Sequence, residues 1–325
     1  RQSIAVMTVV ESPPGSGILA GRGKAAMAKR QEGGPPRGRR DLRGRGSDPA
    51  LDPERMPIPD PRAMEWKMFG FLRKPERTPL ARAQVLMYKA WDCEEPDKRI
   101  EMAEKAIDLC PDCADAYVLL GEEAAEDLDE AIGIYRLGVE AGERALGERM
   151  FKDEVGNFWG ILETRPYMRA RFDLAMSLWA ARKRDEALAH YREMLRLNPN
   201  DNQGVRWVLA QALLLRWEHE ELEALLARYE DDGAAVWGWT RVLLAFRKEG
   251  RKGPRLPGLL RVAMEANCHI PDFLLGRREV PEEMPGYITM GGESEAMEYA
   301  GAAQDAWEAT DGALKWLGRA VRDVF

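Results

Sequence analysis

From about Leu80 onward, apolar side chains recur at spacings of three and four residues, among Ala, Leu, Glu and Arg, with no alternating β-branched run. That period predicts amphipathic α-helices throughout. A second, longer period of about 34 residues lies on top of it, the length of a tetratricopeptide-type helical hairpin. Such a unit places large or small side chains at positions 4, 7, 8, 11, 20, 24, 27 and 32. Counted from Met168, these are Arg171, Leu174, Ala175, Leu178, Ala187, Tyr191, Met194 and Pro199, with Arg171 the one departure. Counted from Leu80, they are Ala83, Leu86, Met87, Ala90, Arg99, Ala103, Ala106 and Pro111, a looser fit that still closes correctly. A unit from Ala114 has Tyr117, Leu120, Gly121 and Ala124 in its first helix and Ala131, Tyr135 and Gly138 in its second. Less regular units begin near Asn202 and near Trp237, the latter with Cys268 in the proline slot.

The small positions let the two helices of a unit approach closely, and the bulky ones fill the space between them. Proline ends the second helix because it lacks an N–H and clashes with the preceding turn. A single unit cannot bury its apolar face alone, so neighbours must stack. The expected fold is therefore an all-α, tetratricopeptide-like solenoid of about five units, at 80–113, 114–167, 168–201, 202–236 and 237–270, within a repeat region of 63–270. Unit two is long: its 54 residues are a 34-residue unit plus an insertion through about 142–166, containing Phe151, Phe158 and Trp159. Residues 271–325 read as a C-terminal cap over the open end of the stack. A proline-broken loop leads there to a helix from Ser294 (as N-cap) to Trp307 and another over Ala313–Val321. Residues 1–62 read as a disordered Gly/Pro/Arg-rich tail, too poor in apolar groups to offset about 1–2 kcal/mol of ordering entropy per residue.

Longer strings add a resemblance. LMYKAWDCEEPDKRIEMAEKAIDL, AYVLLGEEAA, ALLARYEDD, ANCHIPDFLLG, GESEAMEYAGAAQDAW and GALKWL, in this order, resemble the suppression-of-tumorigenicity-seven family over about Leu80 to Leu317. The resemblance implies a helical repeat body that includes the C-terminal cap, and little chemistry. Animal members look like membrane proteins with N-terminal spanning segments, whereas no stretch here approaches 18 consecutive apolar residues. The family's NPHVP stands here as Asn267-Cys268-His269-Ile270-Pro271.

Charge narrows the partner. The whole chain carries −7, but Arg22 to Arg45 holds nine basic and two acidic residues, which leaves the remainder at −14. So acidic a body repels phosphate, so no nucleic acid is expected on it. The four cysteines are too few for a disulfide framework in this length. The apolar run from Ile4 to Val10 is short and precedes Pro13-Pro14-Gly15, unlike a signal peptide, so a cytoplasmic location is expected.

Catalytic chemistry finds little footing. Cys110-Pro111-Asp112-Cys113 is a metal half-site without a second pair of ligands, since His190, His219 and His269 are scattered; it sits in an inter-repeat turn. No nucleophile elbow or phosphate-cradling loop occurs. The expectation is a non-enzyme with no metal, cofactor or small-molecule substrate. Binding is better supported. In such arrays positions 2, 5, 9 and 12 of each first helix line the concave groove, giving Arg169, Phe172, Met176 and Trp179 in unit three, Gln203, Arg206, Ala210 and Leu213 in unit four, and Arg241 in unit five. Aromatic, Met and Arg side chains are enriched at interface hot spots. These residues predict a protein partner presenting an acidic, partly apolar segment. The rival expectation is a regulatory subunit that works by its outer surface, its groove blocked by the 142–166 insertion. The Lys and Asn of the carboxylate clamp used by chaperone-binding arrays are absent: their counterparts are Gln84 and Tyr88, Val118 and Glu122, Phe172 and Met176.

Overall fold

A computed structural model describes residues 60, 62, 65 and 78–324, apart from 283 and 286. The expectation of disorder for residues 1–59 lies outside the described residues. Within the predicted tail Asp60 and Arg62 are described: Arg62 pairs with Glu122 of the repeats, and Asp60 pairs with Arg62.

Among the described residues every regular element is helical. The first five pairs are α1 (Pro79–Trp91) with α2 (Pro96–Leu109), α3 (Ala114–Glu123) with α4 (Leu128–Asp153), α5 (Arg165–Ala180) with α6 (Arg184–Leu197), α7 (Val205–Leu215) with α8 (His219–Arg228), and α9 (Ala235–Glu249) with α10 (Leu256–Ala266). Their starts follow from local chemistry. Thr78 accepts the Ala81 N–H and Pro79 opens α1, while Asp127 accepts the Glu130 N–H at the head of α4. Ala83, Ala103, Ala106, Ala187 and Ala263 are wholly buried where helices meet. At Gly121 a Cβ would stand 2.3 Å from the ring of Tyr135, so only glycine admits that ring. The hairpins pack one on the next, and the first helices form a row in which α3 meets α1 and α5, and α7 meets α9.

The extra length of unit two is a lengthened helix and not a separate module. α4 runs on to Asp153, bending at Gly147 (φ 69°), and two short 3-10 turns follow at Phe158–Gly160 and Leu162–Thr164. Phe151, Phe158 and Tyr167 hold this region together with ring centroids 5.1–6.1 Å apart, and the Gly156 N–H donates to Leu197 O. α5 therefore begins at Arg165, ahead of the expected Met168.

The C-terminal region consists of α11 (Ile270–Leu274), α12 (Glu293–Glu308) and α13 (Ala313–Val324). Gly292, not Ser294, is the cap residue of α12, and the Ser294 hydroxyl accepts the Thr289 N–H instead. α12 also lies elsewhere than expected. It packs along α7 and α9, the first helices of units four and five, and makes no comparable contact with α10. The cause is the apolar breadth of those two helices. Ala210, Leu213, Trp239 and Leu243 are all buried, and an apolar stripe that wide must be covered. Trp239 and Trp307 meet with centroids 6.3 Å apart. Among the described residues no helix is long and apolar enough to cross a membrane.

Candidate protein-interaction site

The row of first helices carries charge as well as apolar surface. At the start of α3, Asp115 is wholly buried. It receives both arms of the Arg169 guanidinium from α5, Nε at 2.8 Å and Nη2 at 2.6 Å, and the Gln84 amide from α1 at 2.6 Å. Arg165 stands one turn before Arg169. At the other end of α3 is Glu122, and Trp91 closes α1.

Three residues from upstream of the repeats complete this arrangement. Arg62 donates to Glu122 at 2.7 Å and to Asp60 at 2.7 Å, and lies 4.6 Å from the centre of the Trp91 ring. Glu65 accepts from Arg165 at 2.9 Å and from Arg169 at 3.0 Å. Arg169 also faces Trp91, at 5.3 Å. One buried tryptophan is thus flanked by two guanidiniums, a contact that strengthens when water is excluded. The three charged partners of Arg62 and Glu65, namely Glu122, Arg165 and Arg169, come from α3 and α5, and the ring from α1.

Burial and pairing compete at each charge. Burial opposes the charge on Arg169, but Asp115 and Glu65 outweigh it and hold its pKa well above the ordinary value. Arg62 behaves alike, with Glu122 the main counterweight to burial. Burial raises Glu122, partly offset by Arg62. Asp173, on α5 beside this cluster, is pushed up to about 8, first by burial and then by Glu122. The chemistry available is that of ion-pair recognition: two carboxylates and two arginines prepaid in position, with an aromatic platform between them.

The residues expected to bind a partner fall into two groups. Arg169 and Phe172 are buried. Arg206 is not an open cation: Asp232 accepts from it at 2.5 Å and Asp201 at 3.0 Å, and Asp201 also caps α7 through the Val205 and Arg206 N–H groups. Arg241 donates to the Leu226 and Glu230 carbonyls at the end of α8. The three arginines expected to attract an acidic ligand are therefore engaged within the chain. Arg169 is buried, and Arg206 and Arg241 are half-buried beside their internal acceptors. Met176, Trp179 and Gln203 remain half-buried, with Tyr191 donating to the Met176 sulfur and Arg184 over the Trp179 ring at 5.2 Å. Of the chain upstream of the repeats, Arg62 and Glu65 sit on this face. Sequence reasoning missed Trp91, Asp115 and Arg165. Asp115 was within reach, since it holds position 2 of unit two, the same position that singles out Arg169 in unit three.

Comparison with known proteins fits this architecture. The profile of the family described as ST7 protein matches residues 74–250, more than half of the chain. The chain belongs to the ST7 protein family. "Suppressor of tumorigenicity 7 protein-like" of Danio rerio is 29% identical over 256 residues, covering 71% of this chain and 43% of that protein. The Homo sapiens protein of the same name is 27% identical, covering 72% and 44%. "Protein ST7 homolog" of Caenorhabditis elegans is 28% identical over 280 residues, covering 73% and 50%. The chain spans about half the length of these relatives. The family profile takes in α1 to α9, and so every repeat residue of the charged site.

Proposed function

We propose that this chain is a non-catalytic scaffold that binds a segment of a protein partner along the row of first helices. The observation that carries the reading is the docking of Arg62 and Glu65 there, by ion pairs from two units and a ring from a third. A surface that holds one short charged segment is built for segment recognition. Its carboxylates, the buried Asp115 and the half-buried Glu122, are tied to arginines, a positioning role and not an acid–base one. No cofactor, nucleic acid or small-molecule substrate enters this reading, and it is set in the cytoplasm.

A second reading has its own support. With Arg62 and Glu65 on one part of the row and α12 on another, the chain itself covers part of this face. A regulatory subunit working through its outer surface would look the same. A photo-crosslinking amino acid at Trp179, on α5, or at the exposed Leu137, on α4, separates the two. Partner crosslinks from position 179 are expected. Crosslinks from position 137 alone would overturn the first reading in favour of the second.

A further inference from the structure

Resting on the scaffold reading, we propose that the α1–α3–α5 face is a receptor for a helical partner segment bearing an arginine and, one turn later, a glutamate. Arg62 and Glu65 are its resident ligand and give way to such a partner.

Several observations converge on this. Arg62 and Glu65 are both helical and three residues apart, so they project from neighbouring places on one turn. Their contacts bridge 60, 100 and 104 residues of sequence, so tertiary recognition and not local folding holds them. The face needs an occupant of this charge pattern. With Arg62 gone, Glu122 would face Asp173 from a buried position without its cation. With Glu65 gone, Arg165 would lose a carboxylate partner, and Arg169 would keep Asp115 but lose its second acid. Leaving one partner of a buried ion pair alone is strongly unfavourable. An apolar or wholly acidic segment therefore cannot replace 60–65, and one with Arg and Glu in this order can. The pocket also retains unused capacity: the buried Trp91 indole N–H has no hydrogen-bond partner among the described residues. The resident segment holds its place by the side chains of Arg62 and Glu65 and by tethering, which raises its effective concentration. A partner with a longer complementary surface can outcompete it.

The probe is a fluorescein-labelled peptide of residues 56–70 of this chain, followed by anisotropy against the full chain. Arg62→Glu with Glu65→Arg expels the resident segment. The peptide is expected to bind this variant at least about tenfold more tightly than the wild type, where tethering wins. Adding Glu122→Lys should abolish that binding, as should swapping Arg and Glu within the peptide. Equal binding to wild type and variant, or binding indifferent to Glu122→Lys, overturns the proposal. Should the double variant lose its helical circular dichroism, a protease site placed between residues 70 and 75 of the otherwise unaltered chain replaces it. After cleavage the resident segment should exchange with labelled peptide; no exchange overturns the proposal. Crosslinks from Trp179 that persist without peptide binding would leave the scaffold reading standing and sink this one alone.

Discussion

Asp173 is the side chain whose burial has the clearest consequence in solution. Its folded pKa of about 8 lies far above the value near 3.9 of an unfolded chain, so the folded state binds the proton more tightly. The stability this gives is fully present below about pH 4 and is lost as pH rises through 8. His190 works in the other direction: burial, then Arg171, lowers it to about 4, so its share is present above about pH 6.5 and lost as pH falls through 4. The two oppose each other between pH 4 and 6.5, and above that Asp173 acts without this counterweight. The melting temperature is expected to fall between pH 6.5 and 8.5, and Asp173→Asn to remove that fall; an unchanged profile in the variant would refute the assignment. Packing gives a second test at this scale. Gly121→Ala drives a methyl into the Tyr135 ring, in a core with no slack, and should cost about 1–3 kcal/mol. Tyr135→Leu in the same chain should recover part of that loss in thermal melting, and no recovery would show that the clash lies elsewhere.

At the scale of helices, Arg247 decides how the C-terminal region attaches. It lies near the end of α9, donates to Leu214 O at the end of α7 and to Ala306 O and the Thr310 hydroxyl at the end of α12, and covers the Trp217 ring at 3.8 Å. Burial lowers it to about 10, and it stays charged at neutral pH. A cation here meets the negative ends of two helix dipoles and their unpaired carbonyls. Arg247→Met keeps the packing volume and removes the donors, so α12 amides should exchange hydrogen faster while those of α2 stay as they were. Uniform protection in the variant would show that the contact is dispensable. The opposite end of α12 is held by Glu295, which accepts from the Ala235 N–H at 2.9 Å and from the Asn267 amide at 3.0 Å. Asn267 also accepts the Trp239 indole N–H on its carbonyl, which gives the ANCHIPDFLLG string a physical role as the hinge between unit five and α12. The sequence makes the helices, their pairing and the small-residue contacts legible because periodicity reports which positions are buried. It does not report against what. Trp307 reads as apolar whether it closes the end of a stack or lies on Trp239, and Arg206 reads as an open cation until Asp201 and Asp232 are seen beside it. The site at 60–65 was hidden for the same reason, since its contacts cross 60 to 104 residues and leave no local pattern.

For the whole molecule, the consequence is uneven cooperativity. Among the described residues the buried apolar side chains form two clusters. One lies within units one and two around Met87, Ala103 and Leu119, and the other is continuous from unit two to α13. Repeat arrays are stabilised mainly by nearest-neighbour contacts, so damage at one end need not reach the other. Removal of everything from Phe273 onward takes away α12 and α13. It exposes the inner faces of α7 and α9, including Trp239, and leaves Arg247 with one of its three partners, Leu214 O. Losing the cover of a buried tryptophan alone exposes some 150–250 Å² of apolar surface. Units four and five should then unfold at lower temperature and self-associate through that face. Units one to three, linked by the Asp115, Arg169, Glu65 and Glu122 contacts, should keep their amide protection. The truncated chain is therefore expected to melt in two steps, the earlier one dependent on protein concentration, where the full chain melts nearer to one. Hydrogen exchange resolved by segment, with gel filtration at two concentrations, measures both. A truncated chain that stays monomeric with an unchanged melting temperature would mean that residues 273–325 are an appendage, and that α7 and α9 need no cover. Loss of protection spread evenly from α1 to α10 would instead mean that the two apolar clusters act as one cooperative core, and the nearest-neighbour account of this fold would fail.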